Sequence, residues 1–295
     1  MMASENIPIT GHYPIEKLWT DDKKGLKKEL ISFRYESVTK ANDLSKCLVS
    51  VTEIKNICDE HDTKYLRDVN AVNEYWITIT EALTPIDCYV ELFLKRMMIG
   101  ETSRCSITTK AGVIISFVIH LIRIEFGGYM YAKDLHTVVT LAQRYKENGV
   151  KMFKKYPLFA HDYFNKAAKI LISCEPFETL TDREIGMTEA DPVKLRELLE
   201  NILMNISACL IKQERYDEAA HVMEFADRSE NVCDKAIYRR ANALYYLGKL
   251  DDARQTIERI NYKDNKECLN LHVNISKKLA QSDQKYRSMI KNMFS

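Results

Sequence analysis

The sequence contains one pattern twice in succession, ENILMNISACLIKQERYDEAAHVMEFA at residues 200–226 and DKAIYRRANALYYLGKLDDARQTIERI at residues 234–260. Superposing the two segments places equivalent residues 34 positions apart. The pairs are Asn205 with Arg239, Ser207 with Ala241, Leu210 with Leu244, Tyr216 with Leu250, Ala219 with Ala253, Met223 with Ile257 and Ala226 with Ile260. In each copy, apolar residues recur at helical spacing on both sides of a short polar turn. The segment therefore predicts two consecutive hairpins of antiparallel helices.

A period of 34 residues is typical of the tetratricopeptide repeat. Small residues at Ser207, Ala219, Ala226, Ala241 and Ala253 allow the two helices of a hairpin to approach closely, while larger apolar residues fill the space between them. One such hairpin cannot bury its own apolar face, so repeats stack and cover one another. The alternative, two unrelated amphipathic hairpins, remains open at this point.

The composition limits the classes of partner that the chain can have. With 43 Lys and Arg against 42 Asp and Glu, the net charge is +1, which argues against bulk electrostatic binding to nucleic acid or membrane. The longest apolar run, residues 113–121, is too short to span a bilayer. Residues 1–14 are polar and lack the apolar core of a signal peptide. We therefore expect no nucleic-acid partner and no membrane partner.

The eight Cys residues are scattered, without a CxxC pair. This pattern is typical of reduced thiols, so we expect a cytoplasmic protein, with the nucleus as an additional compartment. Cys47, Cys58 and His61 are the set that comes nearest to a metal site, but their spacing matches no standard zinc pattern. The sequence predicts neither a metal site nor a cofactor.

The first half of the chain carries strand signals, which are short runs of β-branched and aromatic residues. Residues 17–32 predict a turn followed by a strand. Further strands are predicted at 46–57, 75–82, 103–110 and 113–126. Apolar residues at helical spacing predict one helix over 86–98, which Gly100 would end as a left-handed cap. In the last strand, the face with Ile115, Phe117, Ile119 and Leu121 is apolar, and the face with His120 and Ile124 is expected to be half covered.

This order of elements resembles the FKBP-type immunophilin domain, a bent antiparallel sheet wrapped on one short helix. Three segments carry the resemblance: KLWTDDKKGLKKELI (17–31) is similar to the family's opening strand, VELFLKRMMIGETSRCSI (90–107) to its helix, Met-x-x-Gly-Glu turn and next strand, and ISFVIHLIRIE (115–125) to its closing strand. Followed by tetratricopeptide repeats, the domain resembles that of co-chaperone immunophilins, and among them those whose FKBP-like domain is degenerate.

The predicted fold is therefore a two-domain α+β architecture. A flexible N-terminus at 1–16 precedes an FKBP-like domain at 17–130, an antiparallel β-sheet with one short helix. Three tetratricopeptide repeats at 136–261 follow as an all-α superhelix, and a capping and extension helix at 262–295 ends the chain.

Departures from the family pattern determine the expected chemistry of the first domain. Active FKBP-type members have an aromatic floor, usually Trp, where this chain has Val90 beside Tyr89. The family's Ala-Tyr-Gly segment before the last strand is absent, because residues 108–112 lead directly into Val113. Without floor and rim, little stabilises the twisted amide, whose barrier is about 18–20 kcal/mol. We expect no catalytic residue and no meaningful isomerase activity.

The helical half contains one further repeat and two flanking segments. Residues 141–155 and 161–173 predict the first repeat, and 174–192 a long loop, with Asp191 and Pro192 opening the next helix. Residues 262–295 predict one long helix that caps the repeats. Its apolar stripe consists of Leu271, Ile275, Leu279, Tyr286, Ile290 and Met293.

Lys146-Glu147-Asn148-Gly149 resembles the K-E-x-G opening of the first repeat in chaperone-binding tetratricopeptide domains. Those domains hold a peptide with a carboxylate clamp, made of Lys and Asn from the first repeat, Asn from the second, and Lys and Arg from the third. The matching positions here are Lys146, Val150, Asn205, Lys235 and Arg239. Val150 departs from the pattern and removes one side-chain amide. Arg240 is expected to point in a different direction from Arg239.

The resemblance implies a heat-shock protein 90 co-chaperone that binds the Glu-Glu-Val-Asp chain end, with heat-shock protein 70 as a second candidate partner. Lys and Arg would donate charge-assisted hydrogen bonds to the carboxylates. Asn205 is an unfavourable residue inside a helix, and Lys235 and Arg239 share one helix face, so a binding site is favoured over a solvated basic face. The first domain would then bind a client. Two alternatives stay open: an active FKBP-type prolyl isomerase, and a tetratricopeptide scaffold for an unrelated partner.

Overall fold

The computed structural model describes residues 16–34, 37, 39–58, 60–66, 74–129, 133–180, 192–226 and 233–293. Residues up to 128 form one compact unit, and residues from 129 onward form a second. None of the helices in these ranges has the length and apolar character needed to cross a membrane.

The first unit is built on a six-stranded sheet with the strand order β1-β2-β5-β6-β3-β4. Its strands are β1 (Leu18–Asp21), β2 (Leu26–Phe33), β3 (Lys46–Lys55), β4 (Tyr75–Thr78), β5 (Glu101–Thr108) and β6 (Ile114–Glu125), all paired antiparallel. Alternate residues of β3, β5 and β6 are buried, as expected for a sheet with one covered face. Helix α1 (Pro85–Leu94) covers that face and buries Val90, Phe93 and Leu94 in the core. The FKBP-like sheet with one short helix is confirmed.

Helix α1 is shorter than the sequence predicts. Thr84 caps it by accepting a hydrogen bond from the amide of Asp87, and Lys95 ends it in a right-handed conformation. Gly100 therefore is not its cap, and this prediction was wrong. Gly100 lies in the turn that starts β5, with φ +80° and its amide 2.8 Å from the carbonyl of Leu121. A Cβ here would come within 2.1 Å of the carbonyl oxygen of Arg34, so the approach of this backbone requires glycine.

Two strands differ from the predicted ones in a way that the pairing explains. Residues 17–32 form two strands, because the chain turns at Gly25 (φ +66°) and β1 pairs back on β2. In β6, the register against β3 shifts between Leu121 and Arg123. The extra residue reverses the alternation, so Ile124 packs against the core. The sequence predicts Ile124 on the opposite face, and this prediction was wrong.

The second unit is a succession of helical hairpins in which each helix packs on the next. The helices are α2 (Leu135–Phe153), α3 (Pro157–Ile172), α4 (Pro192–Lys212), α5 (Tyr216–Ala226), α6 (Asp234–Tyr246), α7 (Leu250–Ile257) and α8 (Lys266–Met293). Pro192 opens α4 as predicted, while Asp191 lies outside the described residues. The tetratricopeptide architecture is confirmed.

Small residues hold the hairpins together, as the repeat pattern predicts. Ser207, Ala219, Ala241 and Ala253 are each 0% exposed. Gly149 has the same role between α2 and α3, since a Cβ there would lie 2.6–2.8 Å from ring carbons of Phe164. The prediction for Ala226 cannot be compared, because its side chain lies outside the described part.

Helix α8 is buried only over its first turns, at Cys268, Leu271 and Ile275. These residues cover the last hairpin, as a cap should. Further along the stripe, Tyr286 is 60% exposed and Met293 is 72% exposed. The predicted stripe therefore divides into a covered part and a solvent-exposed part.

Candidate functional site

Three helices, the first of each hairpin, present one row of side chains each. On α2 the row is Lys146, Val150 and Phe153; on α4 it is Asn205, Cys209 and Lys212; on α6 it is Lys235 and Arg239. Members of a row are three or four residues apart and therefore share a helix face. Two contacts show how these rows lie relative to one another.

The first contact joins the rows of α2 and α4. The ammonium of Lys212 lies 4.3 Å from the ring centroid of Phe153, and 3.5 Å from that residue's carbonyl oxygen. A cation over a ring face at this distance is attracted by the ring's quadrupole. Because Phe153 follows Val150 by three residues, the contact places the Lys146–Val150–Phe153 row on the side of α2 that approaches α4.

The second contact joins the rows of α4 and α6. The guanidinium of Arg239 donates a hydrogen bond to the carbonyl oxygen of Met204, the residue before Asn205. Burial lowers the pKa of Arg239 from its usual value. Arg239 is thus anchored against the segment of α4 that carries Asn205, with donors left for a further acceptor.

Cys209 lies between the two contacts. Burial raises the pKa of its thiol to about 12, and the positive charges of Lys212 and Arg239 oppose that rise. Both cations are therefore within electrostatic range of one buried sulfur, although they belong to helices α4 and α6. This arrangement concentrates positive charge where the row of α4 meets the row of α6. We refer to the surface that the three rows border as the groove.

The five residues predicted for the clamp differ in their exposure. Lys235 is exposed, and Lys146, Asn205 and Arg239 are half-buried. Val150 is 56% exposed, although it is apolar. The contacts through Met204 and Phe153 bring the rows that carry these residues together, and the set can present cationic and amide donors to an anionic peptide. That they bind one stays a prediction.

Arg240 follows the predicted divergence from Arg239. Its guanidinium lies 3.8 Å from a carboxylate oxygen of Glu224 on α5, whereas Arg239 contacts α4. Consecutive helix residues point about 100° apart, which accounts for the difference. Arg240 is therefore not part of the rows that face one another.

Sequence reasoning missed three residues that hold the groove together, namely Phe153, Met204 and Lys212. A signal for Lys212 exists, since it follows Asn205 by seven residues and so continues the same face. No comparable signal exists for Met204, because it takes part through its backbone carbonyl.

In the first unit, the position of the expected aromatic floor is closed. Val90 is 0% exposed and packed in the core. Asp87, on the same helix, accepts hydrogen bonds from the hydroxyl of Thr63 at 2.5 Å and from the backbone amides of residues 64 and 65. Glu91 accepts the backbone amides of residues 80–82 at 2.8–3.1 Å. The carboxylates of α1 thus hold two loops against the helix.

The connection between β5 and β6 is a short hairpin. The amide of Thr109 donates to the carbonyl of Val113 at 2.9 Å, and Gly112 adopts φ +79°. Five residues, 109–113, connect the two strands, and 110–112 form the turn inside this hydrogen bond. This hairpin occupies the position where active FKBP-type members carry the Ala-Tyr-Gly segment.

Cys47, Cys58 and His61, which come nearest to a metal site in the sequence, do not form one cluster of ligands in the structure. Cys47 is buried in β3, while the exposed Cys58 lies 3.0 Å from Nδ1 of His61. Among the described residues, no group of three or more His, Cys, Asp or Glu side chains is arranged to hold a metal ion. His120 lies 2.8 Å from the hydroxyl of Thr102 on the neighbouring strand.

Comparison with known proteins assigns the family. The family model for the FKBP-like N-terminal domain of Bride of doubletime matches residues 19–126, and the Bride of doubletime-like tetratricopeptide model matches residues 133–221. Protein Bride of doubletime of Drosophila melanogaster is 34% identical over 281 residues, which cover 94% of this chain and 97% of the relative. The chain belongs to the Bride of doubletime family.

Two further similarities extend this assignment. A crystal structure of residues 1–211 of CG17282 superposes with a TM-score of 0.60 and 33% identity, covering 69% of this chain and 97% of that one. FK506-binding protein 59 of Drosophila melanogaster is 23% identical over 225 residues, which cover 70% of this chain and 48% of that protein. The Bride of doubletime-like repeat model includes Lys146, Val150 and Asn205, whereas Lys235 and Arg239 follow its last matched residue.

Proposed function

We propose that this member of the Bride of doubletime family is a non-enzymatic co-chaperone. Its tetratricopeptide groove binds the Glu-Glu-Val-Asp chain end of heat-shock protein 90, or of heat-shock protein 70, and its FKBP-like domain binds a client or partner. The observation that supports the proposal is the pair of contacts, Lys212 with Phe153 and Arg239 with Met204, that joins the rows of α2, α4 and α6.

The chemistry of the groove fits an acidic chain end. Lys146, Lys235 and Arg239 supply positive charge, and Asn205 adds a directional donor without further charge. A hydrogen bond to a charged group contributes about 1.5–3 kcal/mol, so three or four of them support micromolar affinity, which corresponds to about 8 kcal/mol. A flexible tail loses conformational freedom on binding, which keeps the affinity in this range.

The absence of isomerase activity rests on the first unit. Val90 is aliphatic and fully buried, so it provides no aromatic surface, and the hairpin at 110–112 provides no rim residue. Asp87 and Glu91 of α1 hold two loops against this helix by accepting hydrogen bonds from their backbone amides, and α1 is the helix that would border an imide pocket. The unit is therefore suited to present a protein surface. A cytoplasmic location belongs to the same proposal, in keeping with the scattered Cys residues without a CxxC pair.

Isothermal titration calorimetry with the pentapeptide MEEVD tests the groove. The intact chain should bind with micromolar affinity, and Lys235→Glu should weaken binding at least tenfold, because it places a carboxylate opposite the ligand's own. Lys249→Glu is the matched control, since Lys249 is also exposed but lies in the turn between α6 and α7. Binding that Lys235→Glu leaves unchanged would count against the proposal and favour a scaffold for an unrelated partner.

A further inference from the structure

The α2 side of the groove differs in chemistry from the side formed by α4 and α6. Val150 is 56% exposed, and Phe153, one turn later, is half-buried beneath the ammonium of Lys212. Both side chains are apolar and lie on the face of α2 that approaches α4. Cations flank them, with Lys146 one turn before Val150 and Lys212 above Phe153.

This arrangement separates two kinds of contact within one groove. Arg239, held by Met204, and the exposed Lys235 can receive carboxylates on the α6 side. A carboxylate placed against Val150 would lose water and gain no donor, which is unfavourable. An apolar side chain placed there would remove both its own surface and that of Val150 from water, which is favourable.

We propose that Val150 and Phe153 form an apolar subsite, so that the groove selects an acidic peptide with a free C-terminus that has an apolar side chain in place of one of the three acidic residues of Met-Glu-Glu-Val-Asp. The inference rests on the proposed function, because it assumes that the groove binds an acidic chain end. It goes further by assigning Val150 as the residue that determines specificity, where the pattern of the chaperone-binding domains has an amide.

Four peptides and three proteins test the subsite. The peptides are MEEVD and its three variants in which one acidic residue is replaced by Leu. The proteins are the intact wild-type chain, Val150→Asn, which restores the amide, and Val150→Leu, which keeps an apolar side chain. Val150 is exposed in the last turn of α2, so thermal unfolding should show that both variants remain folded.

We expect one Leu-containing peptide to bind the wild type about tenfold more tightly than MEEVD, which is the gain from partial burial of a Leu side chain. Val150→Leu should keep this preference, and Val150→Asn should reverse it in favour of MEEVD. The same order of peptide affinities in all three proteins would refute the proposed subsite. The subsite would also be refuted if MEEVD binds in a way that depends on Lys235 while all three Leu peptides bind more weakly than MEEVD.

The two proposals fail in different ways. If the wild type binds MEEVD and Lys235→Glu weakens that binding, the co-chaperone groove stands whatever the Leu peptides do. If none of the four peptides binds the wild type, both the groove and its apolar subsite are refuted.

Discussion

Two neighbouring lysines on β2 form ion pairs that differ in burial, and this difference gives a quantitative prediction. Nζ of Lys28 lies 2.5 Å from Oε1 of Glu101, and these side chains are 1% and 2% exposed. Nζ of Lys27 lies 3.2 Å from Oε2 of Glu29, and these side chains are 50% and 56% exposed. We consider Lys28→Met and Lys27→Met, which remove the ammonium and keep most of the side-chain volume.

The expected losses follow from what each glutamate keeps. In Lys28→Met, Glu101 retains the hydroxyl of Ser103 and the amide of Met98 as donors but has lost its counter-charge. Leaving one partner of a buried pair costs about 3–5 kcal/mol. In Lys27→Met, the remaining Glu29 is solvated, and an exposed pair contributes about 0–1 kcal/mol. The two variants should therefore differ by about 2 kcal/mol or more in their free energy of unfolding.

Tryptophan fluorescence measures this difference in the relevant unit. The chain has two Trp residues, Trp19 and Trp76, and both belong to the first unit. Urea titrations followed by fluorescence then report the unfolding of the FKBP-like unit apart from the helical one. Equal losses in the two variants would refute the reasoning, as would wild-type stability of Lys28→Met.

Three further outcomes are expected. Gly149→Ala should lower the stability of the helical unit by about 1–2 kcal/mol, because the overlap with the buried ring of Phe164 outweighs the better helix propensity of Ala. Thermal unfolding followed by circular dichroism measures this loss. Stabilisation by the substitution would contradict the close helix contact. Burial lowers the pKa of His161, so the folded state favours the neutral ring and the helical unit should lose stability as the pH falls below about 6.5. His161→Gln should reduce this loss in urea titrations at pH 7.5 and 5.5, and an unchanged dependence on pH would exclude His161 as its source. In a protease-coupled assay, the chain should leave prolyl isomerisation at the uncatalysed rate, and an acceleration proportional to protein concentration would show an active site in the FKBP-like unit.

The repeats could be predicted closely from the sequence because their pattern is local. Tyr216 and Leu250, superposed at a spacing of 34, begin α5 and α7. The small residues that the pattern places between helices are buried, as Ala219 and Ala253 show. Helical periodicity and residue size determine both features, and neither requires knowledge of a distant contact.

Helix α1 and the end of β6 could not be predicted from such patterns. Met97 and Met98 are buried and continue the apolar spacing of α1, but they lie in the turn before Gly100. Apolar spacing alone cannot distinguish a further helical turn from a buried loop. The burial of Ile124 depends on the register shift between β6 and β3, which is a property of strand pairing and not of one strand.

The candidate groove could be predicted from the sequence only in part. The faces of Lys146 with Val150 and of Lys235 with Arg239 follow from spacing within one helix. The contacts between the helices do not follow from spacing within one helix, since Lys212 and Phe153 are 59 residues apart and Arg239 and Met204 are 35 residues apart. The resemblance to chaperone-binding domains selected the rows, and the structure supplies the contacts that join them.

Binding to intact heat-shock protein 90, with and without its last four residues, tests the central claim most directly. Surface plasmon resonance with this chain immobilised should show micromolar binding of the complete chaperone and a loss of at least tenfold when Glu-Glu-Val-Asp is removed. Equal binding of the two chaperone forms, or no binding of either, would contradict the co-chaperone account.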